Sequence, residues 1–131
     1  MPAGGLCSTA TDLAKLYQCL LNGGEMNGRR IIKAATLAEM TKTQTGDLTT
    51  GFVDGMSFGY GFAVVKEPKG VTSMLSTGSY GHGGAFGTQG WIDPQQDLFV
   101  IILIARAAMP GGDGHELRRA VQQIAVDAIK K

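Results

Sequence analysis

The chain has 131 residues, 44% of them hydrophobic and 18% charged, with 12 basic and 11 acidic side chains giving a formal net charge of +1. That makeup fits one globular domain over residues 1–131 and shows no basic, aromatic-interleaved patch for nucleic acid or a membrane surface. The longest apolar run, Leu98 to Ala105, is far shorter than the ~20 residues of a membrane helix, and Met1-Pro2-Ala3-Gly4-Gly5 has neither the basic start nor the apolar stretch of a signal peptide.

Gly4 to Gly24 spell a glycine-rich entry, a cap and an amphipathic helix. Thr9 with Asp12 three residues on can satisfy the free N–H groups of a first turn, and Leu13, Leu16, Tyr17, Leu20 and Leu21 recur at helical spacing. Asn22-Gly23-Gly24 ends it. Ser8 beside the cap reads as part of the helix start, since Ser and Thr there are normally caps. Cys7 and Cys19 have no Cys-x-x-Cys spacing and read as small buried or partly buried residues. A tight turn at Met26-Asn27-Gly28 leads to an extended Arg29-Arg30-Ile31-Ile32, then a short helix from Ala34 to Lys42 with Leu37 and Met40 inward. Gln44 to Met56, polar and glycine-punctuated, reads as a loop.

Phe58 to Lys66 alternates Tyr60, Phe62 and Val64 against Gly59, Gly61 and Ala63, the period of a half-buried strand. A polar connection from Glu67 to Ser76 precedes a glycine-rich strand around His82 to Thr88. Gln89 to Asp93 and Leu98 to Ala105 follow as strands, joined by a hairpin loop at Asp93-Pro94-Gln95-Gln96-Asp97. Met109 to Asp113 is a breaker, and Asp113 with Glu116 forms a capping box for a closing helix. Its apolar face is Leu117, Ala120, Val121, Ile124, Ala125 and Ala128, expected to lie on the sheet, with Arg118, Arg119, Gln122, Gln123 and Asp127 opposite. The order implies an α+β fold: helices and loop over 1–57, then an antiparallel sheet of three to four strands with the C-terminal helix packed on it over 58–131.

The most informative stretch is Gly81-His82-Gly83-Gly84-Ala85-Phe86-Gly87. With side chains nearly absent around His82, a ligand docking there meets backbone N–H and C=O groups directly. It is not a dinucleotide fingerprint, because the sixth place counted from Gly81 is Phe86 and a strand follows. His82 and His115 have no third ligand in view, so no metal or cofactor is expected. By itself His82 reads as a strand-end histidine held by local backbone groups, and His115 as a helix-start residue.

Gly4-Gly5-Leu6-Cys7-Ser8-Thr9-Ala10-Thr11-Asp12-Leu13, Phe58-Gly59-Tyr60-Gly61-Phe62, Gly81-His82-Gly83-Gly84 and Trp91-Ile92-Asp93-Pro94 with the apolar strand after it resemble, in order, the C-terminal part of the serine β-lactamase and penicillin-binding-protein-like hydrolases. The nearest groups are class C type β-lactamases, D-alanyl-D-alanine carboxypeptidases and related esterases. The resemblance implies a partial β-lactamase-like fold and three active-site motifs: Ser-x-x-Lys with the acylated hydroxyl, Tyr-x-Asn or Tyr-x-Ser, and Lys-Thr-Gly or His-x-Gly on a strand at the sheet edge.

Only the third is present, as His82-Gly83-Gly84. Three places after Ser8, Ser57, Ser73, Ser76 and Ser79 stand Thr11, Tyr60, Ser76, Ser79 and His82, and two places after Tyr17, Tyr60 and Tyr80 stand Cys19, Phe62 and His82. Lys42-Thr43-Gln44 lacks the glycine. The resemblance therefore implies a chain that begins after the nucleophile, is inactive alone and supplies one wall of a cleft for a small acyl substrate. In it His82 orients a substrate carboxylate or bonds the tyrosine region, Gly83 and Gly84 keep the edge open, and the Ala85 N–H is an oxyanion donor.

In such proteins the strand equivalent to Leu98 to Ala105 pairs with N-terminal strands. The expected partner is that missing N-terminal segment, or a second copy through the same edge. Family members are often periplasmic or secreted, others cytoplasmic. The rival reading is a non-catalytic domain that binds a peptide strand along the glycine-rich edge, and the blandest is a truncated product with no separate activity.

Overall fold

The computed structural model describes residues 4–48, 53–108, 110 and 112–129, the side chain of Asp113 excepted. Helix α1, Ala10–Leu21, starts where the sequence placed it: the Thr9 hydroxyl accepts the Asp12 N–H at 3.2 Å. It stops at Gly23 and Gly24, whose φ of +72° and +91° only glycine adopts cheaply. The chain returns through a two-stranded hairpin, β1 (Glu25–Met26) and β2 (Arg29–Arg30), around Asn27 and Gly28 at φ +53° and +74°, the two left-handed residues of a type I′ turn. Helix α2, Ala34–Thr41, buries Leu37.

The main sheet is a meander of five strands in the order β3-β4-β5-β6-β7, every neighbouring pair antiparallel. They are β3 (Met56–Phe58), β4 (Ala63–Val65), β5 (Tyr80–Gly83), β6 (Gln89–Asp93) and β7 (Leu98–Ile102). The α+β architecture is as expected, but the sheet has one strand more than the upper estimate. Phe58 to Lys66 does not form one strand. Gly61 takes φ +82° and the Gly59 N–H bonds Phe62 O at 2.9 Å, closing a hairpin between β3 and β4. Two glycines of the apparent alternation are thus turn residues. The last strand also ends early, at Ile102 rather than Ala105.

Each face of the sheet carries its own core. Val64, Tyr80 and Ile92 pack with Leu20 of α1 and Leu37 of α2, while Ala63, Val65 and Trp91 pack on the other face with Met74, Leu75 and Val126. A fully buried Val, Leu, Ile or Met side chain among them contributes about 1.5–3 kcal/mol. Of the two cysteines, Cys19 is buried as expected and Cys7 is exposed.

Helix α3, Glu116–Ile129, supplies Val126, but it is rotated from the expected orientation. Its fully buried residues are Arg118, Gln122 and Val126, whereas Leu117 and Ile124 of the predicted apolar face are 41% and 69% exposed. Hydrogen bonding explains the rotation. The Arg118 guanidinium finds backbone carbonyls of the turn between β5 and β6, and the Gln122 amide finds Gln89 on β6, and these set which side of the helix faces inward. The helix is capped by His115, whose Nδ1 accepts the Leu117 N–H at 3.0 Å. The Asp113 half of the expected capping box lies outside the described side chains.

Candidate active-site strand and its groove

β5 outruns its neighbour. β4 pairs as far as Ala63 opposite Gly81, while β6 continues alongside with Gly90 opposite His82 and Gln89 opposite Gly83. His82 and Gly83 therefore have a paired edge toward β6 and an edge past the end of β4. His82 is exposed, lies edge-on to the Phe58 ring with centroids 5.8 Å apart, and its Nδ1 sits 2.6 Å from Gly83 O. With Nδ1–H donating there, Nε2 keeps its lone pair for another partner.

After Gly83 the chain makes a tight turn. The Gly84 N–H bonds Thr88 O at 2.7 Å, the Gly87 N–H bonds Gly84 O at 3.1 Å, and the Arg106 N–H bonds Phe86 O at 2.8 Å. Among the described residues no acceptor takes the Ala85 N–H, and Ala85 is exposed. The four residues singled out in the sequence, His82, Gly83, Gly84 and Ala85, thus form one strand end and the start of its turn.

Beside them runs a groove of about 190 Å³ between α1 and β7, lined by Leu13, Tyr17, His82, Gly83, Gly84 and Leu103 among others. A smaller apolar recess of about 20 Å³ touches the same strand end at His82 and Gly83, with Phe58 and Trp91 in its wall. Burial pushes the Tyr17 phenol above its ordinary pKa, and that of Tyr80 up to about 12. At neutral pH the Tyr17 hydroxyl is a hydrogen-bond donor and not a base. Ser8, at the helix start, is exposed and precedes the capping Thr9.

Not every glycine here serves a ligand. A Cβ at Gly81 would run into Gly90 O, and one at Gly90 into the Tyr17 hydroxyl, so both are glycine for the molecule's own packing. Gly84 faces the Thr88 hydroxyl. Among the described residues no group of three His, Cys, Asp or Glu side chains is placed to hold a metal, and no helix is long and apolar enough to cross a membrane.

Sequence reading missed Arg118 and Gln122. Arg118 is 1% exposed, and its Nε and Nη2 donate to three carbonyls of the turn: Gly84 O at 2.7 Å, Thr88 O at 3.2 Å and Gly87 O at 3.3 Å. Gln122 donates its amide to Gln89, the residue paired with Gly83. A cation in the first turn of a helix opposes the helix dipole. That mismatch was the signal available.

An antiparallel sheet with helices on both faces, here with a His-Gly-Gly strand end beside a groove, is the α+β arrangement of the β-lactamase-like fold class. The chain belongs to the beta-lactamase family, whose model matches residues 1–125. Protein Rv1367c of Mycobacterium tuberculosis is 31% identical over 111 residues, which is 77% of this chain and 28% of that protein. A Salmonella gallinarum protein that carries the name of a D-alanyl-D-alanine carboxypeptidase is 33% identical over 110 residues, 81% of this chain and 23% of that one. A solved β-lactamase structure from Mycobacterium bovis, Mb2281c, superimposes with a TM-score of 0.74 at 26% identity over 95% of this chain and 45% of the other. The chain thus spans less than a third of the length of the curated relatives it matches.

Proposed function

We propose that the chain is the C-terminal segment of a serine hydrolase of this family, supplying the substrate-binding and oxyanion strand of a site that opens β-lactam, D-alanyl peptide or ester substrates through an acyl-enzyme. The observation that carries this reading is the Ala85 N–H, left without an acceptor among the described residues, one turn from His82 and beside a groove. In this scheme a serine oxygen from polypeptide outside the 131 residues attacks the acyl carbon. The carbonyl electron pair moves onto oxygen, where the Ala85 N–H stabilises it; such a donor contributes roughly 3–4 kcal/mol. The oxyanion pair then re-forms the C=O bond as the bond to the leaving nitrogen or oxygen breaks. That atom takes the proton given up by the serine, leaving with it from a peptide or ester and staying tethered in an opened β-lactam. Water adds to the acyl ester to release the acid and restore the serine hydroxyl. His82, with Nδ1–H held by Gly83 O, accepts through the Nε2 lone pair a hydrogen bond from the hydroxyl of the tyrosine region. The carboxypeptidase name of the Salmonella relative supports a D-alanyl peptide substrate. A solved hydrolase with promiscuous acyltransferase activity, EstCE1, supports an ester: it superimposes with a TM-score of 0.68 at 25% identity over 95% of this chain and 30% of the other.

The test uses the full natural polypeptide that carries this sequence, assayed on a chromogenic ester and a cephalosporin. Replacing His82 by Ala should lower turnover more than replacing His115, which caps α3. Equal effects would remove the strand end from the site. The isolated chain should show no turnover.

A second reading has its own observation: the edge of His82 and Gly83 beyond β4 is where a peptide strand could add. Peptide binding that survives in a chain lacking any hydrolase activity would favour it.

The partner in this proposal is the N-terminal part of the same hydrolase, pairing with β7. Supporting it, β7 has a strand neighbour on one side only among the described residues, and Leu103, Leu117, Ile124 and Ile129 are exposed. Self-association of the isolated chain through that edge is the alternative.

A further inference from the structure

We infer that Arg118 is a positioning residue for the oxyanion donor: it fixes the plane of the Gly84–Ala85 peptide and so aims the Ala85 N–H. This rests on the reading of Ala85 given above.

Arg118 stands where a cation is least expected. It lies in the first turn of α3, where the helix dipole is positive, and it is buried, where an ion is costly unless its donors are bonded. Leu or Met would fill the space at lower electrostatic cost. What the guanidinium gains is the turn: its donors reach the carbonyls of Gly84, Gly87 and Thr88, and the shortest bond, 2.7 Å, is to Gly84.

That carbonyl and the Ala85 N–H belong to one peptide unit. No peptide bond of the described chain is cis, and in a planar trans peptide the C=O and N–H point in opposite directions. Holding Gly84 O against Arg118 therefore points the Ala85 N–H away from the guanidinium. The Gly87 N–H, also bonded to Gly84 O, closes the turn and restrains rotation of the same unit. A cation on the carbonyl further polarises the amide, making its N–H a stronger donor.

Lysine at this position keeps the charge but not the fork, and cannot hold three carbonyls in one geometry. In the full natural polypeptide, Arg118→Lys should lower kcat on an ester substrate by about 10²-fold, the scale of a 1 Å misplacement at a reacting centre, with KM within about twofold. In the trapped acyl-enzyme, the carbonyl stretch should move to higher frequency, because the acyl oxygen loses hydrogen bonding. Arg118→Met, which risks misfolding, should be at least as impaired. A merely structural role predicts that Arg118→Lys lowers the melting temperature while kcat and the carbonyl band of the folded fraction stay as in the parent. That result would overturn the inference.

Selective ¹⁵N-alanine relaxation in the same polypeptide separates this inference from the reading beneath it. If no acyl substrate is turned over, the hydrolase reading fails, yet Arg118→Lys should still loosen the Ala85 amide selectively. An Ala85 amide equally ordered in both proteins would overturn the role of Arg118, whatever the activity.

Discussion

Replacing Asp93 by Asn perturbs the joint between β6 and the loop that leads to β7. Asp93 is 1% exposed, and its Oδ2 accepts the Ser76 N–H and the Gln96 side-chain amide, each at 2.7 Å. Oδ1 accepts the N–H groups of Gln95 and Gln96 at 3.1 and 3.2 Å. Burial alone would raise its pKa, but the bonds from Gln96 and Ser76 outweigh burial and hold the carboxyl below its ordinary value. Asparagine can keep the Oδ1 pair. On the other side it turns an NH₂ toward two donors, removing two charge-assisted bonds of about 1.5–3 kcal/mol each. Allowing for relaxation, the expected loss is about 3 kcal/mol at pH 7, a large share of the roughly 5–15 kcal/mol that holds a domain together. Because the folded pKa is depressed, this contribution is complete above the unfolded value of about 4 and disappears as pH falls through the folded pKa. Urea unfolding of both proteins from pH 7 downward measures it, and the gap between them should narrow below about pH 4. A gap under about 1 kcal/mol at pH 7, or one that does not change with acid, would refute the reasoning.

Gly81→Ala should destabilise by about 1–3 kcal/mol or more, because its Cβ would meet the Gly90 carbonyl, which is backbone. Gly84→Ala should cost less, since the Thr88 hydroxyl can rotate away; the reverse order in thermal melts would contradict the packing described. Ser79→Ala should be neutral or stabilising by up to about 1 kcal/mol, since the buried Ser79 hydroxyl has no hydrogen-bond partner among the described residues, and a clear loss of stability would mean that a partner exists. The isolated chain should self-associate in sedimentation at high concentration, and Ile101→Lys on β7 should suppress this; a stable monomer would count against an unfilled β7 edge.

Much of the fold was legible because local chemistry and burial agreed. Thr9 with Asp12, Asn27-Gly28 and the Asp93 to Asp97 loop each carry a turn or cap signature that works over a few residues. The strand from Phe58 to Lys66 misled because glycines that make a hairpin also mimic the polar half of an alternating pattern. Helix α3 misled for the opposite reason. Its apolar periodicity is real, but the buried bonds of Arg118 and Gln122 come from residues about 30 positions away, and no helical period encodes them. At the strand end, His82 to Ala85 were visible as a motif. That the Ala85 N–H has no acceptor among the described residues, and that a buried cation holds the other end of its peptide, are properties of the turn's geometry.

The most direct measurement exchanges the Ala85 backbone N–H for an ester oxygen in the full natural polypeptide, by semisynthesis, leaving every side chain unchanged. Loss of one oxyanion donor predicts turnover reduced by about 10²–10³-fold with substrate binding largely retained. Turnover equal to that of the parent would contradict the assignment of this strand end to the acyl site.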